Sequence, residues 1–194
     1  IGLGQDPNRE FEVRTTGKGP GANLKGIELS LQLPFSAFTD GFARNFGVLA
    51  NLTLVKSDVD YTVAGALAYD PVTNRLTAQA AGDYVQPLLG LAKRSWNGTA
   101  YYDDGKFSVR GSIAYRSGYN DSTSGNNNVF EGYGSSLNVD ASLRYKFTDY
   151  LELSLEGTNL TDNYRYRFTD LAANRNYENN HYGRTFLFGA RFSY

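Results

Sequence analysis

Residues 137–160 read LNVDASLRYKFTDYLELSLEGTNL. Leu137, Val139, Ala141, Leu143, Tyr145 and Phe147 are apolar, and Asn138, Asp140, Ser142, Arg144 and Lys146 between them are polar. A period of two is the mark of a β-strand with one apolar and one wet face. After Thr148 and Asp149 the alternation resumes, with Leu151, Leu153 and Leu155 against Glu152, Ser154, Glu156 and Thr158. Two such strands joined by a very short turn predict a β-hairpin. Each is about ten residues long, enough to cross a bilayer at a tilt of roughly 45°. Full charges on the polar face suit a wet lumen, so the hairpin reads as part of a transmembrane β-barrel.

The same pattern extends outward through the chain. Phe11, Val13 and Thr15 alternate with Glu10, Glu12 and Arg14 in a first strand, followed by a glycine-rich loop from Gly17 to Ala22. A second strand sets Ile27, Leu29, Leu31 and Leu33 against Glu28, Ser30 and Gln32, and stops at Pro34, which cannot donate to a ladder. A Phe-rich turn from Phe35 to Asn45 leads to a third strand, with Phe46, Val48, Ala50, Leu52 and Leu54 outward. Ser57 to Pro87 shows no sustained periodicity and reads as a long excursion. A fourth strand, Lys93 to Tyr102, places Trp96, Gly98, Ala100 and Tyr102 outward. The tight turn Asp103-Asp104-Gly105-Lys106 opens a fifth, with Phe107, Val109, Gly111, Ile113 and Tyr115 outward. Two long polar loops, Asn120 to Ser135 and Asp162 to Gly183, flank the hairpin, and Phe186, Phe188, Ala190, Phe192 and Tyr194 share one face of the last strand. The expected fold is all-β: an antiparallel transmembrane barrel of about eight strands, with short turns at one end and long loops at the other. Aromatics at the short-turn ends, among them Phe42, Phe46, Tyr102, Phe107, Tyr145 and Phe147, fit an interfacial belt. A soluble barrel or sandwich would also alternate; the one-sided loops and the belt favour the membrane.

Composition narrows the function. The 194 residues carry a formal net charge of −1, which gives no electrostatic reason to expect nucleic acid as a partner. With no cysteine, disulfide frameworks, thiol chemistry and cysteine-ligated metals are excluded. No run of about 18 apolar residues is present, so a helical span is excluded as well. Tyr 15, Phe 12 and Gly 21 suit a β-rich membrane wall. The chain has no Met, and Ile1 is not followed by a charged and then apolar leader, so a cleaved signal or a longer precursor is expected.

Chemistry-bearing groups are sparse, and neither an enzyme, a cofactor nor a metal is expected. His181 is the single histidine, beside Asn179 and Asn180, without a nucleophile and orienting group at recognisable spacing. Asp103 and Asp104 sit where a turn favours Asp for backbone reasons, not as an acid–base pair. Asn51, Asn97 and Asn159 are sequon-like but fall in or at the ends of strands, and carry no glycosylation weight. Gly17 to Gly21 lacks the context of a phosphate loop. Lumenal charges of both signs, including Glu28, Arg110, Arg116, Asp140 and Arg144, read as a solvated wall or a plug contact. Ligand selectivity belongs to the loops, where aromatic faces stack on rings and Asn and Arg add directional hydrogen bonds. The expected ligand contacts are Asn127, Tyr133, Arg165, Tyr166, Arg167, Arg175, Tyr177, His181 and Tyr182.

Four stretches, GVLANLTLVKS (47–57), RSGY (116–119), LELSLEGTNLTD (151–162) and GRTFLFGARFSY (183–194), resemble the C-terminal part of a TonB-dependent outer-membrane receptor. The similarity covers nearly the whole chain from Phe11, and is greatest to the branch found in Gram-negative bacteria such as Xanthomonas and Caulobacter, often associated with glycan uptake. It implies a closing segment, residues 1–194, of a barrel of about 22 strands, whose plug, TonB box and N-terminal strands lie outside this sequence. It also implies location in the outer membrane of a Gram-negative bacterium and active transport of a scarce nutrient, a glycan or oligosaccharide or else an iron–siderophore. The implied partners are membrane lipid, the small-molecule or oligosaccharide substrate, the TonB–ExbB–ExbD complex acting through the plug, and the barrel assembly machinery. Gly189, Phe192 and Tyr194 match the spacing of a terminal assembly signal, with Leu187 where a polar residue is common. A stand-alone eight-stranded barrel with a structural or adhesive role, and a soluble β-barrel ligand binder, are the alternatives.

Overall fold

In a computed structural model of the chain, the described residues are 21–63, 66–70, 72, 75–79, 82–121, 129–169 and 175–193. The expected first strand, Glu10 to Thr15, falls outside them, as do Asn127 and Tyr194. The wall begins with β1 (Ala22–Pro34) and β2 (Phe46–Val63), joined by two short 3-10 helices, Phe35–Ala37 and Gly41–Asn45. β3 (Ala66–Asp70), β4 (Arg75–Gln79) and β5 (Gly82–Gln86) lead to β6 (Arg94–Asp103) and β7 (Phe107–Arg116). The short β8 (Tyr119–Asn120) and β9 (Gly132–Tyr133) precede the long hairpin β10 (Ser136–Thr148) and β11 (Leu151–Thr158). β12 (Arg165–Thr169), β13 (Arg175–Asn180) and β14 (Thr185–Phe192) complete the described elements.

The main sheet is a meander in the order β1-β2-β6-β7-β10-β11-β14, with β5 also paired to β2. Every pairing in it is antiparallel, with short turns joining β6 to β7 and β10 to β11 and long connections joining β2 to β6, β7 to β10 and β11 to β14. Within the excursion at Ser57 to Pro87, the described residues include strands that its lack of periodicity did not predict. β2 continues to Val63, β5 pairs with its upper half, and β3 and β4 form their own hairpin. Outside the bilayer a strand has no reason to keep one face apolar, so periodicity fails there while backbone pairing persists.

Register turns separate alternating strands into one surface. Leu29, Leu52, Trp96, Tyr115 and Leu137 stand side by side in one row. Below it lie Leu31, Ala50, Gly98, Ile113 and Val139, and then Leu33, Val48, Ala100, Gly111, Ala141, Gly157 and Phe186. The outward placement of Trp96, Gly98, Ala100 and Tyr102 is therefore correct. Many of these side chains are exposed, Leu29 by 60% and Phe186 by 64%, which in water would be an aggregation face and in lipid is the buried one.

Aromatic rings border this band at both ends. Phe46, Tyr102 and Phe42 cluster at the short-turn end with ring centroids 4.9–5.4 Å apart, and Trp96 stacks on Tyr115 at 5.6 Å at the other. From Phe107 to Tyr115 the strand climbs about 26 Å at ~3.3 Å per residue, or about 20 Å along a tilted barrel's normal, close to the band an outer membrane requires. Above Ile27 and Leu54 the same face turns charged, with Lys25 opposite Lys56 and Asp58 next along β2, so the apolar band ends there.

The opposite face carries the polar rows. Ser30, Asn51, Asn97, Ala114 and Asn138 form one of them, and Asn51 donates to the Oδ1 of Asn97 at 3.1 Å. Leu187 also falls on this side, opposite Glu156. Phe147 falls at a bulge between Lys146 and Thr148, with its ring 6.4 Å from that of Tyr145. Among the described residues no helix is long and apolar enough to cross a membrane, which says nothing of crossing by strands.

Candidate functional site

The two long loops that flank the hairpin join into one structure. β8 and β9 come from the first loop, β12 and β13 from the second, and they pair in the order β13-β12-β9-β8. Glycine permits the close approach: a side chain at Gly134 would run into the ring of Tyr166, and one at Gly132 into the backbone of Tyr119. Gly134 also donates its N–H to the carbonyl of Tyr166 at 3.0 Å.

An ion cluster locks this loop sheet. The Arg167 guanidinium lies 3.4 Å from Asp121, 3.6 Å from Glu131 and 3.5 Å from Glu178. Glu131 is 2% exposed, and it belongs to the first loop while Arg167 and Glu178 belong to the second. Removing one partner of a buried ion pair costs about 3–5 kcal/mol, because the charge left behind is uncompensated. Arg167 thus spends its charge on joining the loops.

The corner at the outer end of β11 ties the sheet to the wall. Asn159 and Asp162 both adopt φ 54°, the left-handed conformation that Asn and Asp tolerate best. The Asn159 amide donates to the carbonyls of Asn163 (3.1 Å) and Gly183 (2.9 Å), its Oδ1 accepts from the Asn163 N–H at 2.8 Å, and its own N–H donates to Asp140 Oδ1 at 2.8 Å. Thr161 reaches the carbonyl of Leu137 at 2.7 Å, and Arg184 that of Leu160 at 3.0 Å. The His181 Nε2 sits 3.0 Å from Asp162 Oδ1, so the single histidine belongs to this corner.

Between corner, wall and loop sheet lies a cavity of about 670 Å³. Its lining includes Arg116, Tyr119, Tyr133, Asp140, Arg165 and Tyr182. Arg165 lies over the Tyr133 ring at 3.7 Å and Arg116 over the Tyr119 ring at 4.5 Å, while the two rings are 5.6 Å apart. A second cavity of about 490 Å³ adjoins it, with Lys93, Arg94, Phe130, Tyr166 and Phe168 in its wall.

Of the residues expected to contact ligand, Tyr133, Arg165 and Tyr182 share the larger cavity, and Tyr166 lines the smaller one. Arg167 is in the ion cluster, His181 in the corner, and Arg175 pairs with Thr169 at the far end of the loop sheet. Tyr177 lies on β13, and Asn127 falls outside the described residues. Arg116 and Tyr119 were missed as site residues. The alternation that assigned Arg116 to the polar wall is right, since it pairs with Ser136 and Ser95, but it does not reveal that the wall opens into the cavity at that height. Of the assembly-signal residues, Gly189 faces the polar side opposite Ser154 and Phe192 is exposed opposite Leu151, while Tyr194 lies outside the described residues. Among the described residues no group of three or more acidic or histidine side chains could hold a metal.

A comparison with curated proteins finds no match. The fold is similar to that in the crystal structure of the siderophore receptor PiuA from Acinetobacter baumannii, with a TM-score of 0.58 and 20% identity over 89% of this chain. This chain spans 22% of that receptor's length. Residues 3–160 match the family model described as TonB dependent receptor-like, beta-barrel. A family match over most of the sequence, on a wall with one apolar face and stitched loops at one end, shows that the chain belongs to the TonB-dependent receptor β-barrel family.

Proposed function

We propose that this chain is the C-terminal wall of a TonB-dependent transporter in the outer membrane of a Gram-negative bacterium, contributing ligand contacts but no enzymatic chemistry. The observation that carries the reading is the coincidence of a lipid-matched apolar face with a polar, aromatic-lined cavity at its loop end. Such a wall needs further strands, because unpaired sheet edges are not tolerated in lipid. A plug and TonB box elsewhere in the receptor would take the energy of the TonB–ExbB–ExbD complex. The nutrient is a glycan or oligosaccharide or else an iron–siderophore, and the likeness to a siderophore receptor supports the second class as well. Gly189, Phe192 and Tyr194 serve as the signal read by the assembly machinery.

The test is accumulation of labelled candidate nutrients by cells producing the whole receptor, with and without functional TonB. Accumulation is expected to require TonB and to fall at least about 10-fold when Tyr133, Arg165 and Tyr182 are all replaced by Ala, since each removes stacking or a charged donor. Uptake indifferent to TonB would refute the reading.

A further inference from the structure

We propose that the larger cavity is an oxyanion site, and that Arg116 and Arg165 select a ligand bearing carboxylate or comparable anionic oxygens. This rests on the transport reading, and it names the ligand class. The two arginines come from different parts of the chain, Arg116 from the end of β7 in the wall and Arg165 from the start of β12 in the loop sheet. Each guanidinium is laid against a tyrosine ring, and those rings are themselves in contact. Stacking satisfies the flat face of a guanidinium and leaves its N–H edge, which presents five donors in a fixed fork. Arg116 directs one donor to the Tyr119 hydroxyl, at a long 3.4 Å.

Among the described residues, no carboxylate lies within 4.0 Å of either guanidinium. The contrast with Arg167 is direct: three carboxylates surround that neighbour, two residues along the same strand. Among the described lining residues Asp140 is the single acidic one, and its Oδ1 already accepts the Asn159 N–H. Among the described residues, then, the cavity presents two oriented cations with no carboxylate in ion-pair contact, beside aromatic faces. Carboxylate geometry matches the guanidinium fork, and the tyrosine faces accept a ring next to it. An acidic oligosaccharide and an anionic ferric chelate both supply that chemistry.

The experiment titrates the whole receptor, purified in detergent, with three probes: trigalacturonate, an anionic ferric tris-catecholate and the neutral maltotriose. It compares wild type, R116Q/R165Q and R116K/R165K, at low and at physiological salt. At least one anionic probe is expected to bind more tightly than maltotriose and to weaken with salt. R116Q/R165Q is expected to lose roughly 10-fold or more for each charged hydrogen bond, with partial recovery in R116K/R165K. Which anion binds identifies the source of the oxygens. Tighter binding of maltotriose, no binding of either anion, or equal affinity in wild type and R116Q/R165Q overturns the proposal. TonB-dependent uptake is measured beside it, so the two readings fail separately. An anion bound through Arg116 and Arg165 but not accumulated through TonB keeps the site and refutes the transporter, whereas TonB-dependent uptake of a neutral sugar untouched by R116Q/R165Q does the reverse.

Discussion

Asp104 shows how much one side chain can organise at the rim of the wall. Its Oδ1 accepts the backbone N–H of Phe107 at 2.7 Å and of Lys106 at 2.9 Å, and its Oδ2 accepts the Tyr102 hydroxyl at 2.9 Å. These donors, the Phe107 N–H foremost, hold its carboxyl below the usual carboxylate value of 3.8. A carboxylate depressed in the folded state adds stability above its unfolded value and loses it as pH falls through the lower folded value. The expected outcome for Asp104→Asn in the whole receptor is a lower melting temperature at neutral pH. The gap to wild type should close as pH drops below about 4, read by thermal unfolding across a pH series. Composition alone assigned the Asp103–Asp104 pair to a turn, and the acceptor roles of both residues agree, with Asp103 taking the Gly105 N–H at 2.9 Å. Arg167 could not be told from Arg165 in the same way. Both precede an aromatic residue in sequence, and only the three carboxylates that converge from Asp121, Glu131 and Glu178 set them apart.

Elements were legible where lipid imposes a pattern and illegible where it does not. β7, expected at Phe107–Arg116, and the hairpin around Asp149 appear as read, because a face against hydrocarbon permits few polar residues. The loop sheet gave no period, since its four strands are two to six residues long and its two halves are joined by the pairing of β9 with β12, distant in sequence. The corner at the end of β11 lies between these cases. Its Asn-Leu-Thr-Asp was recognisable by resemblance, yet its work is geometric, joining β10, β11 and the approach to β14 through Asn159. Two contributions can be separated there. Asn159→Gly keeps the φ of 54° accessible but loses the side-chain bonds, at about 1 kcal/mol for each. Asn159→Ala loses the bonds and adds a further ~1 kcal/mol of left-handed strain. Denaturant unfolding of the two variants is expected to rank wild type above Gly and Gly above Ala; equal losses would assign everything to the bonds.

At the scale of the whole molecule, the wall is a surface whose stable face is set by its solvent. Apolar rows that would precipitate in water are the stable boundary in lipid, so the decisive substitution is a charge at mid-height. Ile113 stands in the row Leu31, Ala50, Gly98, Ile113 and Val139, between the two aromatic borders. Ile113→Arg is expected to cost about 2–4 kcal/mol when the receptor folds into bilayers, whereas Ser112→Arg, one residue away on the polar face, costs far less. Folding titrations in lipid vesicles check this, and equal costs would mean that the faces are assigned the wrong way round.

The stitched loops also decide how this surface looks to anything that meets it from outside. Tyr119 and Arg165 lie far apart in the chain, yet they line the same cavity, and the sheet that unites their loops exists only when both are folded. An antibody or a phage adhesin gripping this patch reads a discontinuous epitope. Short synthetic peptides copied from either loop are expected to make poor immunogens for it, and antibodies to this patch are expected to lose it on a denaturing blot.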